Sequence, residues 1–303
     1  LASCHADKNF FTYVQTKEEA MKFQQIAGKS SYIGREGIEF YPQELMVFHL
    51  SNLPGTATCT ALDNMQNKKS KYKVPQRTVL LETSMLRPMV KGKDVTPFHV
   101  ECGEYIVPFP YDKSNPKVPM SMDELITKAP RLAEYYQNNK KMIDEQTNYN
   151  ERIIGRSDAE FYALARVGNY SYAENYVVFR DNSKWSAAVI SNVETSWGGI
   201  KNPVFQNHAV SICEDTDGNF ISYDEAHFIC GVINTPIVAK YMLTSSDSRS
   251  FPIRPRIYIP KYNSENKLHK YIVELSKKAH KDYNNVKIIQ ELLNELNKTY
   301  MKI

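Results

Sequence analysis

The feature of this sequence that most constrains its fold is an Arg-x-Gly followed at a fixed distance by Val-Phe, and it occurs twice. The first copy occupies residues 35–37 and 47–48, and the second occupies residues 166–168 and 178–179. Both landmarks are offset by 131 residues, and aromatic residues fill both intervals. Aromatic and β-branched runs punctuated by glycine favour strands joined by turns. The pattern therefore predicts one strand-turn-strand unit used twice.

Each unit combines a guanidinium, from Arg35 or Arg166, with a glycine and several flat aromatic side chains. Glycine permits close approach to the backbone, and a planar guanidinium can bond to phosphate or to a guanine edge. Aromatic rings stack on bases. The alternative is a pair of ordinary hairpins in which each arginine is paired to an acid such as Glu36 or Asp158. The repeat alone leaves both interpretations open.

The composition is that of a globular chain. At 303 residues, with 42% hydrophobic and 24% charged residues, it is long enough for one large or two ordinary domains. It begins at Leu1 and has no signal-peptide pattern, so we expect a piece of a longer polypeptide. No apolar run reaches the roughly 20 residues of a membrane span. Five scattered cysteines without a Cys-x-x-Cys pair favour a reduced, cytoplasmic protein with buried thiols.

The net charge of +4 is distributed unevenly. Residues 67–93 contain eight Lys or Arg against one Glu, and residues 249–281 contain nine against two, so that each segment carries +7. The rest of the chain is therefore acidic. Such polarisation lets one face bind a polyanion. The alternative is that both runs are solvated faces without a partner.

Helices are predicted where capping signals and apolar spacing coincide. The Ser-x-x-Glu boxes at 121–124 and 222–225 each start a helix, and Pro130 starts another. Pro236 ends or kinks the helix that begins after the second box. Two amphipathic helices close the chain, the first with Ser264 as its N-cap. Strands are predicted in the alternating apolar runs between these helices.

Motifs for catalysis are missing from the sequence. An Asn/Asp-Pro-Pro-aromatic motif does not occur, and Phe23 replaces the first glycine of a phosphate-binding loop that would end at 28–30. The only Glu-x-Lys, at 265–267, falls on a predicted helix start, where both side chains have structural roles. The seven histidines show no metal-ligand spacing. We therefore expect no catalytic residue, no metal and no cofactor in this chain.

Several short motifs follow one another in a characteristic order over residues 30–281. They are YIGREG (32–37), PMVKGKDV (88–95), FPY (109–111), FYALARVG (161–168), KWSAAV (184–189), IPKY (259–262), LH (268–269), LS (275–276) and AH (279–280). This series resembles TaqI-like specificity domains. These are the target-recognition regions of adenine-N6 DNA methyltransferases, including enzymes that combine restriction with modification.

The resemblance implies an α+β fold, namely a β-rich target-recognition domain with two related strand-turn-strand units, intervening helices and C-terminal helices. It implies double-stranded DNA as a partner, held between this domain and a methyltransferase catalytic domain on the same polypeptide. That catalytic domain would bind S-adenosylmethionine and receive a flipped adenine. This chain would select the site without methylating it.

On this basis we predict five regions along the chain. They are a helical lead-in (1–27), a first recognition lobe (28–112), a helical connector (113–150), a second recognition lobe (151–262) and C-terminal helices (263–303).

Candidates for DNA contact come from the repeats and the basic segments. They are Arg35, Lys68, Lys69, Lys71, Lys73, Lys91, Lys93, Arg166, Tyr170, Tyr172, Trp197, Arg249, Arg254 and Arg256. Each has an alternative role. Asp94 is placed to bind back a lysine of the 91–93 turn, the other lysines suit a solvated loop, and aromatic side chains more often belong to the core.

Two other classes of function stay open. One is an enzyme, such as a nuclease or a modification enzyme, with a site that sequence motifs do not identify. The other is an interaction module whose basic faces bind a partner protein or RNA.

Overall fold

A computed structural model describes residues 12–67, 73–144, 160–246 and 249–303. The predicted α+β class is confirmed, because helices and several mostly antiparallel sheets share the chain. Eight helices occur in these ranges: α1 (Lys17–Ile26), α2 (Gln43–Met46), α3 (Met122–Lys128), α4 (Pro130–Asp144), α5 (Tyr223–Asn234), α6 (Pro236–Ser245), α7 (Lys267–Lys281) and α8 (Val286–Tyr300).

Local capping chemistry explains where most of these helices begin. Ser121 and Ser222 both form the predicted capping boxes, each accepting a bond from the glutamate amide three residues on. α5 ends before Pro236, which starts α6 across a 60° bend. The predicted N-cap of α7 was wrong. Asn266 caps this helix instead of Ser264, because its side chain accepts bonds from the amides of Leu268 and His269.

Sixteen strands occur in the same ranges. They are β1 (Tyr32–Arg35), β2 (Phe48–Leu50), β3 (Cys59–Asn64), β4 (Thr78–Glu82), β5 (Leu86–Val90), β6 (Val95–Thr96), β7 (His99–Val100), β8 (Tyr105–Pro108), β9 (Tyr111–Asp112), β10 (Asn115–Pro119), β11 (Asn175–Arg180), β12 (Ala187–Ser191), β13 (Val193–Thr195), β14 (Gly199–Lys201), β15 (Val204–Phe205) and β16 (Ala209–Asp215).

Two larger sheets organise these strands. The four-stranded sheet has the order β1-β16-β11-β12 and is antiparallel throughout. The six-stranded sheet has the order β15-β5-β8-β2-β3-β4, in which only the short β15–β5 pair is parallel. The pairs β6–β7, β9–β10 and β13–β14 form separate two-stranded ribbons.

The two sheets cross the lobe boundaries predicted from the sequence. β1 lies within the predicted first lobe but pairs with β16 of the second. β15 lies within the second lobe but pairs with β5 of the first. Alternation of apolar residues identifies a strand but does not indicate which strand it pairs with. A division of the sequence into consecutive lobes could therefore not predict this exchange.

Both faces of the four-stranded sheet are buried. Val177 and Phe179 of β11 point into a core shared with the helices α5 to α8, whereas Tyr176 and Val178 point the other way, toward β5 and β15. This alternation is the two-residue period of a strand. The six-stranded sheet packs on its own core with α3 and α4. The four-stranded sheet therefore lies between the helical core and a smaller cluster that it shares with β5 and β15.

The two copies of the repeat differ in local structure. In the first, β1 leads through α2 to β2, so strands flank a helical turn. In the second, Arg166 has a positive φ of 64° and is followed by a 3₁₀ turn, Asn169–Tyr172, before β11. A left-handed backbone does not fit a strand. Both Val-Phe pairs nevertheless lie buried at or in a strand, as predicted.

Candidate nucleic-acid interface

The two Arg-x-Gly turns meet in space although 131 residues separate them. The Arg166 Nη1 atom lies 3.0 Å from Glu36 Oε1 and 3.1 Å from Glu39 Oε1. It also donates to the carbonyl oxygen of Gly37 at 3.4 Å. The second turn thus binds the first through one guanidinium.

Gly37 is a position of close backbone approach, as the sequence suggested, but the approaching group belongs to the chain itself. A Cβ at Gly37 would stand 2.2 Å from the carbonyl oxygen of Gln206. The next amide, of Ile38, donates to Phe205 O at 2.6 Å. The glycine therefore allows residues 37–38 to lie directly beside the strand β15.

Arg35 is also ion-paired. Its Nε and Nη2 atoms donate to Glu214 Oε2 at 3.2 and 2.7 Å, and its guanidinium lies 5.0 Å from the centre of the Tyr170 ring. Pairing of each arginine to an acid, the alternative left open by the sequence, is what the structure contains, and Glu36 is one of the acids. A role of Arg35 or Arg166 in contacting DNA stays a prediction.

Carboxylates outnumber the arginines at this junction. Burial raises the pKa of Glu36 even though Arg166 opposes the rise, and the nearby carboxylates of Glu39 and Asp181 add to it. With Glu214 beside Arg35, four carboxylates face two guanidinium groups. The twin turns alone are therefore not a positively charged patch.

A second cluster forms around the ring of Tyr105. The Lys91 Nζ atom lies 3.7 Å from the ring centre and 3.6 Å from the sulfur of Met65. The Lys93 Nζ atom lies 5.0 Å from the same ring centre and 3.3 Å from Glu104 Oε2. Both ammonium groups thus lie near the face of one ring.

The two lysines of this cluster differ in charge environment. Burial lowers the pKa of Lys91, and the charge of Lys93 lowers it further. Tyr105 and Glu104 raise the pKa of Lys93, whose side chain is 54% exposed. Asp94 Oδ2 accepts a hydrogen bond from the backbone amide of Lys91 at 2.8 Å, and Asp94 Oδ1 lies 3.9 Å from Lys93 Nζ. Lys93 is thus the better placed of the two for a ligand in solvent.

Three segments that contain candidate cations converge around residues 204–208, which we call the convergence region. The turn at Gly37 lies on one side of the convergence region. On the other side, the amide of Gln206 donates to Val90 O, and a Cβ at Gly92 would stand 2.3 Å from His208 O. His208 bonds to Asp181, whose carbonyl accepts the amide of Phe251 at 2.5 Å.

The segment after Phe251 continues to the first turn. A Cβ at Gly34 would stand 1.9 Å from the carbonyl oxygen of Ile253, so Arg254 follows directly on the residue that touches β1. The segments that carry the candidates Arg35, Lys91, Lys93 and Arg254 therefore share one neighbourhood. Arg249, Arg254 and Arg256 are all exposed.

The remaining candidates are divided between core and surface. Tyr172 is only 8% exposed and belongs to the core of the six-stranded sheet, against which Trp197 also packs. Lys73 is exposed. Lys68, Lys69, Lys71 and the acid Asp158 lie outside the described residues.

Sequence reasoning missed how Lys261 is used. This lysine of the second basic segment forms ion pairs with Asp215 and, at 3.2 Å, with Glu225. Burial of Asp215 opposes its ionisation, yet Lys261 and Asn219 lower its pKa to about 2. Tyr32 donates to the same Glu225 at 2.7 Å. No signal in the sequence distinguishes this structural lysine from its exposed neighbours.

The cysteines of the described residues carry free thiols. Cys59, Cys213 and Cys230 are buried, as predicted, whereas Cys102 is half-buried. In the described ranges, no group of three or more His, Cys, Asp or Glu side chains has a metal-binding arrangement. Across those ranges, too, no single helix has both the length and the apolar content needed to cross a bilayer.

No protein-family model matches the chain, and no curated protein matches it significantly.

Proposed function

We propose that this chain binds double-stranded DNA with sequence specificity, as the target-recognition part of an adenine-N6 DNA methyltransferase or of a combined restriction-modification enzyme. The observation that carries the proposal is the convergence region. Basic segments that are far apart in sequence, around Arg35, Lys93 and Arg254, meet there at the surface. A duplex needs such a set of contacts spread over several phosphates and one groove.

The ion pairs at the twin turns fit a role of Arg35 and Arg166 in recognising bases better than a role in nonspecific attraction to phosphates. Arg35 engages Glu214 through Nε and Nη2, and Arg166 engages its acids through Nη1. Two bonds to Glu214 fix the orientation of the Arg35 guanidinium, and Arg166 is anchored at one nitrogen, so that Arg35 Nη1 and Arg166 Nη2 bond to no acceptor in the described part of the chain. Side-chain exposures of 33% and 26% leave these groups within reach of a base edge. Arginine so oriented suits bidentate recognition of guanine.

The lysines supply affinity rather than selectivity. Lys93 presents an exposed ammonium beside Tyr105, and Arg254 and Arg256 add charge from the adjoining segment. Contacts of this kind to phosphates bind all sequences similarly and weaken as salt rises.

Catalysis belongs, in this proposal, to an adjoining methyltransferase domain that binds S-adenosylmethionine. The sequence resemblance supports that division, and a cytoplasmic location goes with it, since such an enzyme acts on DNA there. Sequencing the gene upstream of Leu1 tests this part. An Asn-Pro-Pro-aromatic motif is the expected result, and a coding region without it contradicts the assignment.

DNA binding itself is tested by fluorescence anisotropy with a labelled duplex over a range of salt. The Lys91→Ala/Lys93→Ala variant should weaken binding to every sequence and reduce the salt slope by about two units, roughly one for each phosphate contact. The matched control is Lys22→Ala/Lys298→Ala, which removes two charges from helix-surface ion pairs with Glu18 and Glu295. Equal effects in the two variants would show that net charge, not this site, binds the duplex.

Specificity is tested by competition. A duplex selected by the protein from a random library should displace the label at lower concentration than random duplex or RNA of the same length. Equal competition by RNA favours an interaction module instead. Divalent-metal-dependent cleavage of the duplex by the purified chain favours a nuclease.

A further inference from the structure

A pair of cations lies at the base of the β13–β14 hairpin, apart from the convergence region. The Lys201 Nζ atom donates to Thr83 O at 2.8 Å and lies 5.8 Å from the centre of the Trp197 ring. Burial lowers the pKa of Lys201, and the charge of Arg87 lowers it further. The lysine is therefore held against the protein with a second positive charge nearby.

Arg87 lies deeper than Lys201. Its guanidinium carbon is 4.0 Å from the ring centre of Phe109 and 4.4 Å from that of Tyr172, and its Nη1 atom donates to Ser171 O at 2.7 Å. Burial lowers the pKa of Arg87. Rings and a carbonyl dipole stabilise the guanidinium, but they do not neutralise it.

Neither cation has an anionic partner in the part of the chain that the structure describes. No ion pair joins Arg87 or Lys201 to a carboxylate there, in contrast to Arg35, Arg166 and Lys261. Asp112 is close enough to raise the pKa of Tyr172, whose ring contacts Arg87, but it forms no ion pair with Arg87. Two partly buried like charges without a counter-charge are unfavourable unless something else supplies one.

The hairpin above this pair has the features of a contact element. Gly199 turns it with a positive φ of 67°, and the next residue, Ile200, exposes 73% of its surface. Ile200 and Lys201 are neighbours in β14, so their side chains lie on opposite faces of the hairpin and Ile200 offers a separate apolar contact.

We propose that Lys201 and Arg87 form a binding site for one phosphate group, with Lys201 in direct contact, Arg87 adding positive potential from below, and Trp197 as the side wall. The inference rests on the proposed function for its natural ligand, a phosphodiester of the DNA backbone. β5 starts near Arg87 and leads to Lys91, roughly 13 Å along an extended strand. One sheet strand would thus connect two points of contact with the duplex.

Tryptophan emission is the direct readout, because the chain has only two tryptophans. Trp185 is buried in the helical core, where its Nε1 donates to Ile233 O at 2.9 Å, so Trp197 reports on the site. Inorganic phosphate and a duplex are titrated separately. We expect a change in emission with the duplex that Trp197→Phe abolishes.

Variants at Lys201 define the chemistry. Lys201→Met should abolish the emission change, lower duplex affinity roughly tenfold and reduce the salt slope by about one unit. Lys201→Arg should retain the response, and Lys298→Met, remote from the site, should behave as wild type. Unchanged thermal unfolding of Lys201→Met shows that the fold is intact.

The outcomes separate this inference from the proposed function. If the duplex binds with the expected Lys91 and Lys93 dependence but Lys201→Met binds as wild type, the phosphate site is wrong and the DNA-binding function stands. If inorganic phosphate gives a Lys201-dependent response while no duplex binds, the site is correct and the DNA-binding function is wrong. No response to either ligand overturns the site.

Discussion

At the scale of single residues, Arg166 joins two parts of the chain that the sequence separates widely. Its bonds to Glu36 and Glu39 predict that Arg166→Met lowers the free energy of unfolding by about 2–3 kcal/mol, because the buried Glu39 loses its counter-charge. Chemical denaturation measures this. Arg131→Met is the control, since the exposed Arg131 uses only its backbone amide, to Glu82.

The same variant decides between two roles of Arg166. Wild-type stability together with altered sequence preference would mean that its guanidinium serves DNA rather than the fold. Loss of stability with unchanged preference would confine it to the ion pairs.

The buried imidazole of His227 makes stability depend on pH. Its Nδ1 atom lies 3.1 Å from Ser276 Oγ, and burial, with the nearby His280, lowers its pKa to about 3. In the unfolded chain the pKa is about 6.5. Between these values the unfolded state binds more protons, so stability is complete above about pH 6.5 and declines as pH falls.

We therefore predict that His227→Gln loses less stability than the wild type when pH is lowered from 7 to 5. Urea denaturation at both pH values measures the difference, which should be about 1–2 kcal/mol for a site titrating over this range. His208→Gln, at an exposed imidazole, is the control. A wild-type pH dependence in His227→Gln would mean that this histidine is not the group that titrates.

At the scale of elements, the start of α7 gives a direct test of capping. Asn266 accepts bonds from Leu268 and His269 amides at 2.8 and 3.4 Å, so Asn266→Ala should cost about 1 kcal/mol of stability. Ser264→Ala should change it by only a few tenths, since no amide of α7 bonds to that hydroxyl in the structure. Thermal unfolding of the two variants compares them. A larger loss from Ser264→Ala would restore the original prediction.

Elements were predictable where their signals are local. The capping boxes at Ser121 and Ser222 each contain donor and acceptor within four residues. Pro236 ends the preceding helix whatever its tertiary surroundings, because proline has no amide hydrogen to donate. At α7 the choice between two N-caps depends on a bond that the capping pattern does not include. The amide of Asn263 bonds to His269 Nδ1 at 3.0 Å, which fixes residues 263–266 as a turn before the helix.

The candidate site was predictable in its residue types but not in its pairing. The sequence identifies Arg35, Arg166 and Lys93 as cations near glycines. It does not reveal that Glu214 and Glu39 neutralise the arginines, because those partners come from other parts of the fold. Lys201 lies outside both basic runs, so composition gave it no weight.

At the scale of the whole molecule, exchange of β1 and β15 between the two sheets predicts one cooperative unfolding transition. Trp185 reports on the helical core and Trp197 on the core of the six-stranded sheet. The variants Trp185→Phe and Trp197→Phe therefore follow one core each. In each variant, the emission midpoint in urea should coincide with the circular dichroism midpoint. Separate midpoints for fluorescence and ellipticity would mean that the halves unfold independently.

The strand exchange also limits how such a chain can acquire a new specificity by recombination. A crossover between Arg35 and Val204 would join the β1 of one parent to the β16 of the other, and a crossover between Val90 and Val204 would also join β5 of one to β15 of the other. In such hybrids, strands that pair in one sheet come from different parents, and their side chains have not been selected to pack together. Viable crossovers are therefore confined to positions before β1 or after β16, and the stretch between them is inherited as one block.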